Sequence, residues 1–178
     1  VSDAALTALA ARVRLVVFDV DGVMTNGQLI LGPAGEELKV FHVRDGHGLV
    51  MLRESGLAVA VITGRQSAVV AARMAELGIE FVYQGQRDKL VALADLCSRL
   101  GIAEDEICYV GDDLPDLPVL RKVGLPVTVA DGHPQCVAAA RWRTAAPGGA
   151  GAVREICEFI LAAQGLLAAQ YARYGGQC

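Results

Sequence analysis

The stretch Asp19-Val20-Asp21-Gly22-Val23 closes the apolar run 13–20 and sets two carboxylates two residues apart, where a buried strand meets a glycine. Two acids so placed can serve as nucleophile and proton donor. Like charges at that spacing repel, so either one holds a proton or a cation lies between them. A second acidic group, Asp112 and Asp113 with Asp116, follows Gly111 at the end of the apolar run 107–110. Thr63-Gly64-Arg65 follows the run 57–62, and Lys89 stands at the start of a helical stretch. Carboxylates, a hydroxyl and an ammonium together match a hard divalent cation and a phosphoryl group.

These residues need a scaffold that delivers them to one place. The run around 15–18 reads as a strand covered on both faces, and further strands are expected at 57–62, 80–83 and 107–110. Helices are expected between them at 45–55, 66–77 and 88–100, each closed by a glycine at 56, 78 or 101, and a last helix begins near 152 after the glycine-rich loop 147–151. Strands separated by helices of this length predict an α/β fold, a Rossmann-like doubly wound parallel sheet flanked by helices. Such a sheet gathers its strand ends on one edge, where open α/β sheets bind ligands. Asn26-Gly27, the turn Gly32-Pro33-Ala34-Gly35 and the short runs beside them predict a β-hairpin insertion over 28–43. At 178 residues the chain suits a single domain spanning 1–178.

A formal net charge of −4, with no basic run or basic helix face, argues against a nucleic acid or an anionic membrane as partner. A small soluble substrate fits better. The five cysteines, 97, 108, 136, 157 and 178, are scattered and lack C-x-x-C spacing, so reduced thiols and a cytoplasmic setting are expected. No basic n-region with an apolar core is present, and no apolar stretch approaches the ~20 residues that span a bilayer.

Taken in order, Asp-x-Asp, a strand-end Thr, a Lys and Gly-Asp-Asp-x-x-Asp resemble the motifs of the haloacid-dehalogenase-like phosphohydrolases. Gly35-Glu36-Glu37-Leu38-Lys39, Val43-Arg44-Asp45-Gly46, Tyr83-Gln84-Gly85 and Gly151-Ala152-Val153-Arg154-Glu155 narrow the resemblance to the small-cap branch that hydrolyses 3-deoxy-D-manno-octulosonate 8-phosphate, in which a hairpin stands in place of a cap domain. The likeness runs from about residue 15 to 165. It implies that Asp19 attacks phosphorus and forms an aspartyl phosphate, while Asp21 protonates the leaving sugar oxygen and later activates water. It further implies that Mg²⁺ is held by the Asp19 carboxylate, the Asp21 main-chain carbonyl and the Asp112 carboxylate. Thr63 would donate to a phosphoryl oxygen and Lys89 would balance the phosphate's charge, with Gly64 shaping the turn and Asp113 and Asp116 orienting Lys89 or metal-bound water.

His42, Val43, Arg44, Asp45 and Gly46 match a segment bordering the substrate in this family, and Arg65 and Arg73 lie about two turns apart, suited to two ends of an extended acidic sugar. His47 and His133 have no implied role beyond turns or caps. Val50 and Ala150 stand where the family commonly carries basic residues, which leaves open a nine-carbon, sialic-acid-like sugar 9-phosphate as substrate. A phosphosugar-binding module without catalysis is a further reading, and the intact Asp19, Asp21, Lys89 and Asp112 count against it. Carbon–halogen hydrolysis would need neither a metal nor Asp21. Apolar residues Leu29, Leu31, Leu38 and Val40 on the hairpin, and an apolar tail over 161–174, are expected to be partner surfaces. The resemblance implies a homotetramer in which a neighbour supplies the cap, and we expect the hairpin to be central to the interface and a flexible tail over 165–178 to be able to reach a site mouth.

Overall fold

In the computed structural model, which describes residues 3–176, every residue of β1 (Leu15–Phe18) is buried because the strand lies inside a parallel sheet. After α1 (Asp3–Ala10) and β1, the chain makes a two-stranded antiparallel hairpin of β2 (Ile30–Leu31) and β3 (Glu37–Leu38). It then continues through α2 (Val43–Glu54), β4 (Ala58–Ile62), α3 (Ala68–Glu76), β5 (Phe81–Tyr83), α4 (Lys89–Leu100), β6 (Ile107–Val110), α5 (Leu117–Leu120), β7 (Leu125–Thr128), α6 (Pro134–Ala139), β8 (Trp142–Arg143), α7 (Ala152–Ala163) and α8 (Leu167–Ala172). The sheet order is β5-β4-β1-β6-β7-β8, all parallel. β1 therefore sits where the strand order reverses, with β4 on one side and β6 on the other.

Alternation along the strands divides the core in two. Val16, Phe18, Cys108 and Val110 pack with Leu49, Leu52, Val153 and Ile156 of α2 and α7, while Leu15, Val17, Ile107 and Tyr109 pack with Leu93, Leu96, Val119 and Leu120 of α4 and α5. Each fully buried aliphatic side chain contributes about 1.5–3 kcal/mol, so both faces must be covered for the central strands to be stable. In-register pairing of Phe18 with Val61 and Val110 brings the ends of β1, β4 and β6 level. The ladder runs one residue further: Asp19 N–H donates to Val110 C=O and Thr63 N–H to Tyr83 C=O, each at 2.9 Å. Two site residues are thus anchored by main chain.

The tail is not a free arm within the described residues. Beyond Gly165, α8 folds back on α2 and α7: the Gln170 amide donates to Ser55 Oγ at 2.9 Å, Tyr171 Oη donates to Glu158 at 2.7 Å, Arg173 pairs with Glu54, and the Tyr174 ring meets His47 edge-on at 5.2 Å. Leu161 is wholly buried, and Leu166, Leu167 and Tyr171 pack against the core, so the tail's apolar residues serve this chain's own interior. Residues 177 and 178, the end of the expected flexible tail, lie outside the described residues. Among the described residues no helix is long and apolar enough to cross a membrane.

Candidate active site

At the carboxyl edge of the sheet, a cleft of about 340 Å³ is lined by Asp19, Asp21, Thr63, Gly64, Arg65, Lys89, Asp112, Asp113 and Asp116, together with Gly27 and Pro115. Four strand-end or helix-start segments supply the polar residues. Asp88 caps α4 through a 3.0 Å bond from Leu90 N–H, which fixes Lys89 as the first residue of that helix. The Lys89 ammonium is buried between two carboxylates, 2.9 Å from Asp19 Oδ1 and 2.7 Å from Asp116 Oδ1. Burial pulls the Lys89 pKa down, but the charges of Asp19 and Asp116 more than reverse this and raise it.

Carboxylate oxygens of Asp19, Asp112 and Asp116 all lie within 4.8 Å of one another. Their engagements differ. Asp116 is saturated: Oδ1 accepts from Lys89 Nζ and from Tyr109 Oη at 2.6 Å, and Oδ2 accepts the main-chain N–H groups of Asp112 and Asp113 at 3.0 and 3.2 Å. Asp112 Oδ1 is buried with no hydrogen-bond donor. Burial, then the charges of Asp19, Asp116 and Asp113, push the Asp112 carboxyl up to about 8. Asp19 is raised to about 6, mainly by burial, with Lys89 opposing. One ammonium is too little for this cluster, and the Asp112 oxygen without a donor fits a hard divalent cation shared with Asp19. Asp116, whose lone pairs are all taken, suits the role of scaffold.

Two glycines make the crowding possible. A Cβ on Gly22, whose φ is +96°, would lie 2.1 Å from Asp112 Oδ2, and one on Gly111 would lie 2.4 Å from Asp116 Cβ and Cγ. The glycines of Asp-x-Asp-Gly and Gly-Asp-Asp are therefore where acidic side chains pass against the main chain.

The Asp21 carboxylate is held from the hairpin. Lys39, whose side chain is only 1 % exposed, pairs with Asp21 Oδ1 and lies 3.4 Å from Glu37, while Arg65 lies 3.8 Å from Asp21 Oδ2 and 2.9 Å from Glu37. Sequence reasoning missed Lys39, Glu37 and Tyr109 as neighbours of the site. Period-2 alternation in the hairpin carried the first two, since it sets residues 37 and 39 on one face and apolar 38 and 40 on the other. Tyr109 read only as strand core.

Other residues proposed from the family pattern lie apart from the cleft. Asp45 is buried at the start of α2, and its two oxygens accept from the N–H groups of Gly151 and Arg154 at 3.2 and 2.9 Å, so it joins α2 to the start of α7. Val43 and Arg44 are exposed on the first turn of α2, outside the cleft lining. His42 precedes that helix with Nδ1 buried and unpartnered. Arg73 bonds to Glu76 at 2.8 Å, and its guanidinium lies over Gly46, where a Cβ would come within 2.2 Å of it. His133 caps α6, accepting from Gln135 N–H at 3.2 Å.

Comparison with known proteins places this geometry in a family. A family model described as haloacid dehalogenase-like hydrolase matches residues 78–156. The chain is 51% identical over 160 residues to the 3-deoxy-D-manno-octulosonate 8-phosphate phosphatase KdsC of Escherichia coli strain K12, covering 90% of this chain and 85% of that protein. A crystal structure of the phosphatase of that name from Yersinia pestis superposes with a TM-score of 0.92 at 48% identity, covering 94% of this chain and 90% of the other. One from Moraxella catarrhalis, in complex with magnesium ion, phosphate ion and KDO, superposes with a TM-score of 0.95 at 44% identity, covering 97% and 99%. At half of all positions identical over nine-tenths of its length, and with the same fold, the chain belongs to the 3-deoxy-D-manno-octulosonate 8-phosphate phosphatases of the haloacid dehalogenase-like hydrolases.

Proposed function

We propose that this chain is a Mg²⁺-dependent phosphomonoesterase that releases phosphate and the free sugar acid from 3-deoxy-D-manno-octulosonate 8-phosphate, a step in building the sugar acid of lipopolysaccharide. The observation that carries the chemistry is the single cleft in which Asp19, Asp112 and Lys89 converge, in a chain of this family. We assign the nucleophile to Asp19. Its carboxylate attacks phosphorus as the bond from phosphorus to the sugar oxygen breaks, giving an aspartyl phosphate. Asp21 donates a proton to the departing oxygen and takes one back from the water that cleaves the acyl phosphate, so each turnover restores both acids.

Thr63, buried at the end of β4 with its hydroxyl facing only a weak 3.4 Å bond from Arg65 N–H, donates to a phosphoryl oxygen. Lys89 offsets the charge of phosphate and intermediate, and Gly64 and Asp113 complete the cleft wall around it. The Asp19 and Asp112 carboxylates and the Asp21 carbonyl would hold Mg²⁺, which supplies charge screening between anionic nucleophile and anionic ester and polarises a phosphoryl oxygen. Arg65, on the rim, is placed to meet the sugar acid once it leaves Glu37. Phosphate release from the octulosonate 8-phosphate, compared with nonulosonate 9-phosphates, tests the reading. A preference for a nine-carbon substrate would move the assignment, and no turnover of either with Mg²⁺ would overturn it.

The hairpin supports an assembly. Its polar face is turned onto Asp21 and Arg65, whereas Leu38 and Val40 on the other face are 56% and 63% exposed, with Leu29 and Leu31 also exposed. A two-stranded ribbon with an apolar outer face gains stability only when that face is covered. We propose a homotetramer in which copies of the chain cover each other's hairpins, and light scattering that returns a monomer at micromolar concentration would refute it. The scattered free thiols support a cytoplasmic setting.

A further inference from the structure

We propose that Tyr109 is a positioning residue of the phosphoryl-transfer step, acting through Asp116 to hold the Lys89 ammonium beside the nucleophile. The inference rests on the phosphatase reading given above. Tyr109 lies on β6 with its ring in the core between the sheet and α4 and α5, and it is 0% exposed. The rest of that strand is Ile, Cys and Val, and a hydrocarbon side chain would fill the same space. A phenol buried there brings a hydroxyl that needs a partner. It finds one at the functional end of the strand, donating to Asp116 Oδ1 at 2.6 Å.

That carboxylate is a junction of four donors from three parts of the fold. Tyr109 Oη comes from β6, Lys89 Nζ from the first residue of α4, and two main-chain N–H groups come from the loop that carries Asp112 and Asp113. The two N–H groups fix Oδ2 rigidly. Oδ1 is shared by the hydroxyl and the ammonium, and the hydroxyl draws part of the oxygen's charge away from Lys89. This sharing matters because the same ammonium lies 2.9 Å from Asp19 Oδ1. Lys89 is thus balanced between a scaffold carboxylate and the nucleophile. Removing the hydroxyl leaves Oδ1 with one donor and concentrates its charge on the ammonium, while the two N–H groups keep the carboxylate itself in place. That change draws Lys89 toward Asp116 and away from the phosphoryl oxygens whose charge it offsets.

The predicted signature is kinetic. Tyr109→Phe, made in the full chain, keeps the ring and its packing and should lower kcat on octulosonate 8-phosphate by roughly ten- to a hundredfold, the range for a misplaced catalytic charge, with KM changed by less than about threefold. Inhibition by orthovanadate, which mimics the five-coordinate transition state, should weaken in step with kcat, while inhibition by inorganic phosphate stays near the parental level. A purely structural tyrosine would lower the melting temperature and leave the ratio of vanadate to phosphate inhibition unmoved. The proposal is overturned if kcat stays within about threefold of the parent, or if both inhibitors weaken equally. Asp116→Asn gives the same test at the next link. It removes the charge that holds Lys89, so it should lower kcat and split the two inhibitors at least as far as Tyr109→Phe, and parental kinetics from it would overturn the chain of contacts even if Tyr109→Phe did not fold. Failure of the phosphatase reading itself would be seen separately, as a parent chain that turns over no phosphate ester.

Discussion

Replacing Gly22 by alanine tests whether the acidic crowding at the sheet edge exists for metal binding. The added Cβ would sit 2.1 Å from Asp112 Oδ2 and 2.4 Å from its Cγ, against an ordinary contact of about 3.5 Å, so the carboxylate must shift by more than an ångström. It has little room, because Asp19 and Asp116 lie within 4.8 Å of it. The φ of +96° adds backbone strain on the order of 1–3 kcal/mol for any residue with a Cβ. In a domain of this size that strain lowers the melting temperature by about 2–4 °C per kcal/mol. Strain alone does not touch catalysis, but a displaced metal carboxylate does, and a misplacement of about 1 Å can cost on the order of a hundredfold in rate. Gly101→Ala supplies the control, since φ is +61° with nothing within 4 Å of the added Cβ. Phosphate release against Mg²⁺ concentration, run beside thermal melts, should show both variants destabilised and Gly22→Ala alone shifted to higher half-saturating Mg²⁺ with turnover down about a hundredfold. Parental Mg²⁺ response and turnover in Gly22→Ala would refute the argument that Asp112 holds the ion.

Asp19→Asn keeps the side-chain shape and removes the nucleophile, so it should abolish hydrolysis while the fold persists, and turnover within about tenfold of the parent, some 1.4 kcal/mol of barrier, would exclude covalent catalysis by this residue. Chelation should stop turnover and Mg²⁺ restore it, whereas Ca²⁺, with its larger and looser shell, should bind and fail to restore it; activity that survives exhaustive chelation would remove the metal from the reaction. Without metal, Asp112 and Asp19 titrate at about 8 and about 6 in the folded chain against 3.8 for a free side chain. The folded state then holds protons that the unfolded state releases, so the contribution of these two carboxyls to metal-free stability is fully present below about pH 4 and is lost as pH rises through about 8. Because Mg²⁺ competes with those protons, the gain in melting temperature on adding it should be largest near pH 8 and shrink toward pH 5, and a gain independent of pH would contradict the proposed ligands.

The strand-end residues were legible in the sequence because each follows an uninterrupted apolar run, and parallel pairing leaves such runs only one common edge. Asp19, Thr63 and Asp112 follow β1, β4 and β6, and in-register pairing of Phe18, Val61 and Val110 levels the three strand ends. Lys89 was legible by position, one residue after the capping Asp88, although the burial of its ammonium depends on partners 70 and 27 residues away. Asp45 shows what a motif position leaves out: its partners, Gly151 and Arg154, lie 106 and 109 residues along the chain, and nothing near residue 45 announces that both oxygens are engaged by another helix. The seat of the tail was hidden for a related reason. An apolar helix reads alike whether it covers its own core or a neighbour's, and only the seating of Gln170 on Ser55 and Arg173 on Glu54 distinguishes them.

The hairpin reverses that ambiguity, and its two faces have separate consequences. Leu38 and Val40 point outward and lack cover, while Glu37 and Lys39 on the opposite face engage Arg65 and Asp21. A ribbon this short is marginal by itself. Whatever covers its apolar side therefore also sets how firmly Lys39 is pressed against Asp21, the carboxylate we assign to proton transfer. If copies of the chain provide that cover, assembly and proton transfer are linked through one pair of strands. Conditions that dissociate the assembly should then lower turnover per chain while leaving the Asp19, Asp112 and Lys89 cluster, which is anchored in the sheet and α4, able to bind Mg²⁺.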